Sequence, residues 1–260
     1  MSTAAPFKIF DKDSRLVHRF TPWDYKSIYK KTNEITEIYY NDPFDLYYLF
    51  EEYEKFCIDR KVDMSFVRIP FKDEQLRKFA TQEGFVFTEM SYTIYKALSA
   101  NKDDYKEISK KNLKVSDKLK NKKQLYEICS SAFFHGRFAE DLQISKQNST
   151  RRFANWSKDL LKNNTNALYL YNKNKLIGFM FYEVSDKKCK LILGGMDSKF
   201  SYLAPAFWSH VFYILKENGI KSVETTISAA NIGVINLYNI FKFKFRDCLM
   251  GYHKHYKNIS

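Results

Sequence analysis

The stretch SAANIGVINLYNIFKFKF, residues 228–245, decides the reading of this chain. Val234, Leu237 and Phe241 stand at i, i+3 and i+7, the spacing of a helix face turned to a core. Asn231 sits just ahead of them, at the N-terminal end. Tyr238 follows Asn231 by seven residues, close to two helical turns. The two side chains therefore project from almost the same side, roughly 10 Å apart along the axis. By itself the stretch is an ordinary surface helix with a half-buried tyrosine. Its neighbours give it more meaning.

Upstream, residues 222–228 (SVETTIS) read as a strand, and residues 242–256 read as the strand that follows. Before these, residues 203–218 carry Leu203, Phe207, Val211, Ile214 and Leu215 in the stripe of an amphipathic helix that Gly219 ends. Residues 167–171 and 176–184 flank a short polar turn as a hairpin, and 188–196 is a further strand. Helices are expected over 119–134 and 149–163, with a loop at 135–149 between them and a short strand at 112–118. Strand, helix, strand, helix, strand in the last eighty residues predicts an α/β (α+β) fold with a mixed, partly parallel sheet.

The first hundred residues form another block. Helices are expected within 23–36 and 43–59, a strand at 64–71, a helix at 72–83 and a long aromatic strand at 85–98. Asp73 is the expected N-cap of the third helix and Gly84 its stop. Residues 99–111 (SANKDDYKEISKK) are polar and charged. They mark a boundary between an N-terminal domain, 1–105, and a C-terminal domain, 106–260.

The chain has 260 residues, 45% hydrophobic and 17% aromatic, which suffices for a large core and excludes global disorder. Its net charge of +13 implies anionic ligands. The lysines are spread out, so a solvated basic surface is favoured over nucleic-acid binding. Four cysteines, none in a CxxC pair, predict buried thiols and no metal or disulfide framework. No signal-peptide pattern or long apolar run is present, so a cytoplasmic protein without a membrane partner is expected.

The order of elements resembles the GNAT superfamily of acyl-CoA-dependent N-acyltransferases. In that family the helix and following strand often read N-x-x-A-x-x-L-Y-x-x-x-G-F. Here Asn231, Leu237, Tyr238 and Phe243 fall in register, with Val234 for Ala and Lys242 for Gly. The resemblance implies that Asn231 holds the CoA arm and that Tyr238 protonates the leaving thiolate. It also implies a phosphate loop at 199–204, where Lys199, Ser201, Tyr202, Leu203 and Ala204 would meet the pyrophosphate; Tyr202 stands where Gly is usual. Backbone N–H groups near Gly194, Gly195 and Met196 would bind the oxyanion.

The N-terminal block resembles a degenerate, smaller copy of the same unit. In one register Asp73 falls opposite Asn231 and Ala80 opposite Tyr238, so the copy lacks the phenol. The two-part layout, with His135-Gly136-Arg137-Phe138-Ala-Glu-Asp141 between helices, is similar to the sugar-nucleotide N-acyltransferases such as those acting on dTDP-fucosamine. That resemblance implies acyl transfer, from acetyl-CoA or 3-hydroxybutanoyl-CoA and without a metal, to the amine of a dTDP-linked 3- or 4-amino-6-deoxyhexose for surface polysaccharide. It also implies a homodimer. Arg137 would bind phosphate, Phe138 a ring, Asp141 a sugar hydroxyl or its own turn, and His135 or Glu183 would take the amine proton. Two alternatives stay open: a GNAT enzyme for another small amine or peptide, and an inactive GNAT-fold binding protein.

Overall fold

The structure, a computed structural model, describes residues 5–98, 105–108 and 112–256. Most of the polar stretch 99–111, where the boundary is expected, lies outside them. Among the described residues are eleven strands and seven α-helices. The first half holds β1 (Phe7–Asp11), β2 (Ser14–Phe20), α1 (Pro22–Ile28), β3 (Thr32–Tyr39), α2 (Asp45–Asp59), β4 (Met64–Pro70), α3 (Glu74–Gln82) and β5 (Val86–Ala97). The second half holds β6 (Leu113–Ser116), α4 (Lys122–Ser131), α5 (Lys146–Lys162), β7 (Asn166–Asn172), β8 (Lys175–Ser185), β9 (Lys188–Met196), α6 (Ala204–Glu217), β10 (Ser222–Ser228), α7 (Ile232–Ile240) and β11 (Lys244–His255). The mixed α/β architecture is as expected.

These elements form two compact units that interleave along the chain. A C-terminal unit comprises Tyr92–His135 and Phe153–Asp247. An N-terminal unit comprises, among the described residues, 5–91, Gly136–Arg152 and 248–256. The sheet of the C-terminal unit runs β5-β10-β9-β8-β7-β6, with β5 entering from Tyr92 onward. The sheet of the N-terminal unit includes β1-β2-β3-β4-β11, with β11 entering from Cys248 onward. Each unit thus completes its sheet with a strand that begins or ends in the other half of the sequence.

In the C-terminal unit the strands alternate between two cores. Leu168 and Leu170 of β7 join α6 and α7 through Phe207, Val211, Phe212 and Leu237. Tyr169 and Tyr171 join α4 and α5 through Leu125, Ile128 and Leu160. A strand buried on both faces reads as a continuous apolar run, which is why β7 is the unbroken ALYLY. Strands β6 to β9 are antiparallel, whereas β9 and β10 are parallel.

In the N-terminal unit β3 and β4 are parallel and β11 is antiparallel to β4. One face of this sheet is apolar. Leu16, Ile35, Val67, Ile69 and Tyr252 pack there against Leu46, Leu49, Phe50 and Phe79 of α2 and α3. The expected helix within 23–36 is corrected here. Helix α1 stops at Ile28 because Tyr29 takes a left-handed backbone, φ 56°, at its C-cap. Residues from Thr32 onward are a strand, whose Ile35 supplies the apolar face and whose Thr32 and Glu34 supply the other. The hairpin β1–β2 is likewise absent from the sequence expectations. Its turn places Lys12 at φ 52° without the Asn-Gly that announces such turns.

The two helix-to-strand units match in detail. Asp73 accepts from Leu76 N at the head of α3, and Asn231 accepts from Val234 N at the head of α7. Past α3, Gly84 has φ 81°; past α7, Lys242 has φ 56°. The position where a glycine is usual is therefore a left-handed one that lysine occupies under strain.

Candidate active site

Strands β9 and β10 pair through three positions only: Lys188 with Ser222, Cys189 with Val223 and Lys190 with Glu224. Thr225 Oγ1 then donates to the Leu191 carbonyl at 3.1 Å, and beyond it the ladder ends. The two parallel strands part from there, and the edge of β9 that faces β10 is left without ladder partners along Ile192–Met196. Such an edge can pair with an extended, amide-bearing ligand arm. This opening is invisible in the sequence, because nothing in KCKLILGGM or SVETTIS marks the residue at which their pairing stops.

Tyr238 lies at the closed end of the opening. Helix α7 presents its ring to the core, edge-on to Phe243 at 4.8 Å between centroids, and its hydroxyl lies beside Thr225 and Trp208. Burial pushes the phenol up to about 12, against the lowering effect of Trp208 and Thr225. At neutral pH it is a protonated donor. Asn231 is half-buried, with its Oδ1 committed to the Val234 amide. Gly194 and Gly195 serve packing. A Cβ at Gly194 would meet the Met180 side chain at 2.5 Å and Trp208 at 3.1 Å, and one at Gly195 would meet Phe133 at 3.1 Å. Met196 is buried and sits over Gly178, where an added Cβ would stand 2.5 Å from its sulfur.

The expected phosphate loop sits between β9 and α6, but it is wound as a 3₁₀ turn, Ser198–Leu203. Without glycine the segment cannot adopt the open, left-handed turns of a backbone cradle. Asp197 caps it, accepting from Lys199 N at 3.0 Å, and pairs with Lys175 at 2.7 Å. Lys199, Ser201 and Tyr202 are exposed, Leu203 is buried and Ala204 begins α6. The two lysines supply positive charge here and Asp197 subtracts from it.

The residues expected to meet the amine substrate divide between the units. His135 ends a segment of the C-terminal unit, and Glu183 is exposed on β8. Arg137, Phe138 and Asp141 belong to the N-terminal unit. Gly136 makes their turn with φ 113°, its N–H donating to Glu140 at 2.8 Å. The Arg137 guanidinium bonds Glu34 at 3.3 Å and lies 4.1 Å from the Phe66 ring centroid. Burial and the nearby Arg68 lower it to about 10, which leaves it charged at neutral pH. Its fork is turned to Glu34 and the rings. Phe138 is core, edge-on to Phe66 at 5.5 Å and beneath Arg152 at 4.3 Å.

Asp141 has partners that sequence reasoning missed. Its Oδ2 lies 2.6 Å from His253 Nδ1 and 2.7 Å from His255 Nε2, and its Oδ1 accepts from Gln143 N. Burial opposes its charge, but both imidazoles and the Gln143 amide hold its carboxyl well below the usual range. Asp141, His253 and His255 form a group whose donor atoms lie close enough to be weighed as a cation site. The available signal was the alternation in β11: His253 and His255 are two apart and so share a strand face.

Comparison with known proteins bears on the fold. No protein-family model matches the chain, and no curated protein matches it. Solved structures do. A GCN5-related N-acetyltransferase from Sphaerobacter thermophilus is similar over 92% of this chain and 76% of its own, at TM-score 0.67 and 12% identity. A tandem GNAT protein from the clavulanic acid biosynthesis pathway covers 93% of this chain and 78% of its own, at TM-score 0.61 and 10% identity. A glucosamine N-acetyltransferase region of a fungal multi-domain GH3 β-N-acetylglucosaminidase covers 92% of this chain and 31% of that one, at TM-score 0.66 and 10% identity. The chain therefore has the fold of these GCN5-related N-acetyltransferases. Among the described residues no helix is long and apolar enough to cross a membrane.

Proposed function

We propose that this chain is an acyl-CoA-dependent N-acyltransferase acting by direct transfer. The observation that carries the reading is the placement of the buried Tyr238 phenol at the closed end of the β9–β10 opening. The thioester arm lies along the free edge of β9. The acceptor amine attacks the thioester carbonyl carbon, the C–S bond breaks, and the departing sulfur receives a hydrogen bond from Tyr238. Asn231 orders the start of α7 and, through its amide, the CoA arm. Lys175 and Lys199 draw the pyrophosphate to the turn at 198–203.

The acceptor we favour is the amine of a dTDP-linked 3- or 4-amino-6-deoxyhexose, with acetyl or 3-hydroxybutanoyl as the acyl group and surface polysaccharide as the product's use. The net charge of +13 supports ligands that carry diphosphates. The fungal neighbour described as a glucosamine N-acetyltransferase supports an amino-sugar acceptor by analogy of fold alone. Arg137 enters this reading only if the ligand displaces Glu34. A homodimer is part of the proposal.

A second reading has one observation behind it. The glycine-free turn capped by Asp197 favours a GNAT-fold protein that binds without acyl transfer. Incubation with each acyl-CoA and each amino-sugar nucleotide, read by thiol release and product mass, separates the two. Turnover with one pair is expected; no CoA binding and no thiol release with any pair would overturn the enzyme reading.

A further inference from the structure

The C-terminal unit holds a buried donor that the reaction described above does not use. Helix α6 turns Trp208, Phe212 and Leu215 inward, at the i, i+4 and i+7 steps of one helix face. The polar groups next to Trp208 on this helix are matched. Ser209 Oγ accepts from the Lys106 N–H at 2.8 Å, and His210 Nδ1 accepts from the Ile108 N–H at 2.9 Å. The Trp208 indole N–H is not matched. Its Nε1 is buried and makes no hydrogen bond among the described residues, in a residue only 5% exposed. An indole nitrogen is a donor only, so what it lacks is an acceptor. Buried polar groups are nearly always paired, and an exception of this kind points to an acceptor that arrives with a ligand.

The indole lies where the edge of β9 is free. A Cβ added at Gly194 would stand 3.1 Å from Trp208 Cζ2. Cζ2 is bonded to the carbon that carries Nε1, so the N–H edge of the ring is the one laid against Gly194. Gly194 belongs to the stretch of β9 beyond the last bond to β10. It is half-buried, so its backbone is within reach of solvent while the indole beside it is covered. Any side chain at 194 would displace Met180, which the added Cβ would meet at 2.5 Å, and press on the indole.

The Trp208 N–H is also near the Tyr238 hydroxyl. It is close enough to help lower the phenol's pKa, yet it makes no hydrogen bond to that oxygen. The Thr225 hydroxyl has already given its hydrogen to the Leu191 carbonyl, at 3.1 Å. A phenol O–H and an indole N–H thus converge on the closed end of the opening, each able to donate.

We propose that the Trp208 indole N–H is the side-chain donor to the thioester carbonyl oxygen; this rests on the acyl-transfer reading. Tyr238 donates to the departing sulfur, and the carbonyl oxygen is two bonds from that sulfur, so a donor beside the phenol reaches it. The amine lone pair forms the N–C bond, and the π pair of the C=O bond moves onto oxygen. The indole N–H holds this oxyanion in a buried setting, where a fixed donor acts strongly. The pair then returns, the C=O bond re-forms and the C–S bond breaks. One proton leaves the nitrogen and one reaches the sulfur, so an amide and a thiol are the balanced products.

Two measurements on the full chain test this. In ¹H–¹⁵N spectra the three tryptophans give three indole signals, and the one missing in Trp208→Phe belongs to Trp208. That signal should move downfield with the analogue of acetyl-CoA in which CH₂ replaces the sulfur, because the acyl carbonyl remains. Free CoA, which lacks that carbonyl, should move it far less. An equal shift with free CoA, or none with the bound analogue, overturns the proposal. Site-specific replacement of Trp208 by 3-benzothienylalanine keeps the ring shape and puts sulfur in place of the N–H. The kcat should then fall about 100-fold, while acyl-CoA affinity and Tm hold. A kcat close to wild type overturns the proposal, and so does a fall in affinity that accounts for the whole loss, which would mark a packing role. If neither CoA nor the analogue binds and no thiol is released, the acyl-transfer reading fails, and the role of Trp208 falls with it.

Discussion

Replacing Tyr238 by Phe should slow the reaction moderately, and the structure says by how much. The phenol sits at about 12, while an ordinary thiol ionises near 8.5. Complete proton transfer from Tyr238 to the CoA thiolate is then uphill by about 3.5 units, or roughly 5 kcal/mol. A hydrogen bond to the developing charge, without full transfer, is the cheaper course. Such a bond to an ionic partner is worth about 1.5–3 kcal/mol. Its loss corresponds to a roughly 10- to 150-fold fall in kcat. Phe fills the same space against Phe243 and Trp208, so acyl-CoA affinity should hold, and the melting temperature should fall by only a few degrees for the hydroxyl lost. The assay is thiol release under saturating substrates, paired with calorimetric binding of acyl-CoA. A loss beyond 10⁴-fold would mean that Tyr238 completes the proton transfer, and its ring would have to lie in a much wetter setting than this. A loss under threefold would remove it from the chemistry.

Further predictions concern stability. His18 is buried against Phe7, Tyr53 and Phe56, and burial lowers its pKa to about 4, against the raising effect of a hydrogen bond that Asn33 accepts from the imidazole. Below its unfolded value near 6.5 the unfolded chain binds the proton and the folded chain does not, so stability falls as pH falls from there toward 4. The loss between pH 7 and 5 should be about 2 kcal/mol, and His18→Phe should flatten it in urea titrations. Asp24 is buried with one oxygen already unpartnered, so Arg152→Ala should cost about 3–5 kcal/mol by leaving its carboxylate uncompensated. Thermal unfolding would show this as a drop of roughly 10 °C; a change under 2 °C would show that water reaches Asp24. Lys242→Gly relieves about 1–2 kcal/mol of left-handed strain at φ 56° and gives back about 0.5–1 kcal/mol of chain entropy. A net gain of about 0.5–1 kcal/mol is expected in denaturant midpoints, and destabilisation would contradict it.

What the sequence determined by itself is written in neighbours a few residues apart. The caps at Asp73 and Asn231, the stops at Gly84 and Gly219, and the seven-residue step to Tyr238 all arise from one helical period and its ends, so the order of residues alone reveals them. The continuous apolar strands and the parallel crossover from β9 to β10 followed from the same local rules. Helix α1 and strand β3 were harder, because a left-handed Tyr29 breaks a stretch whose composition suits either form. Tertiary structure alone decided the rest. The opening between β9 and β10 depends on where a ladder stops, which no side-chain pattern records. Arg137 meets Glu34 across 103 positions, and Asp141 meets His253 across 112. Contacts so distant in sequence depend on how the chain closes its loops and on which unit each segment joins. The surroundings of Asp141 are set by partners from the opposite end of the chain, because the last strand completes the sheet of the N-terminal unit.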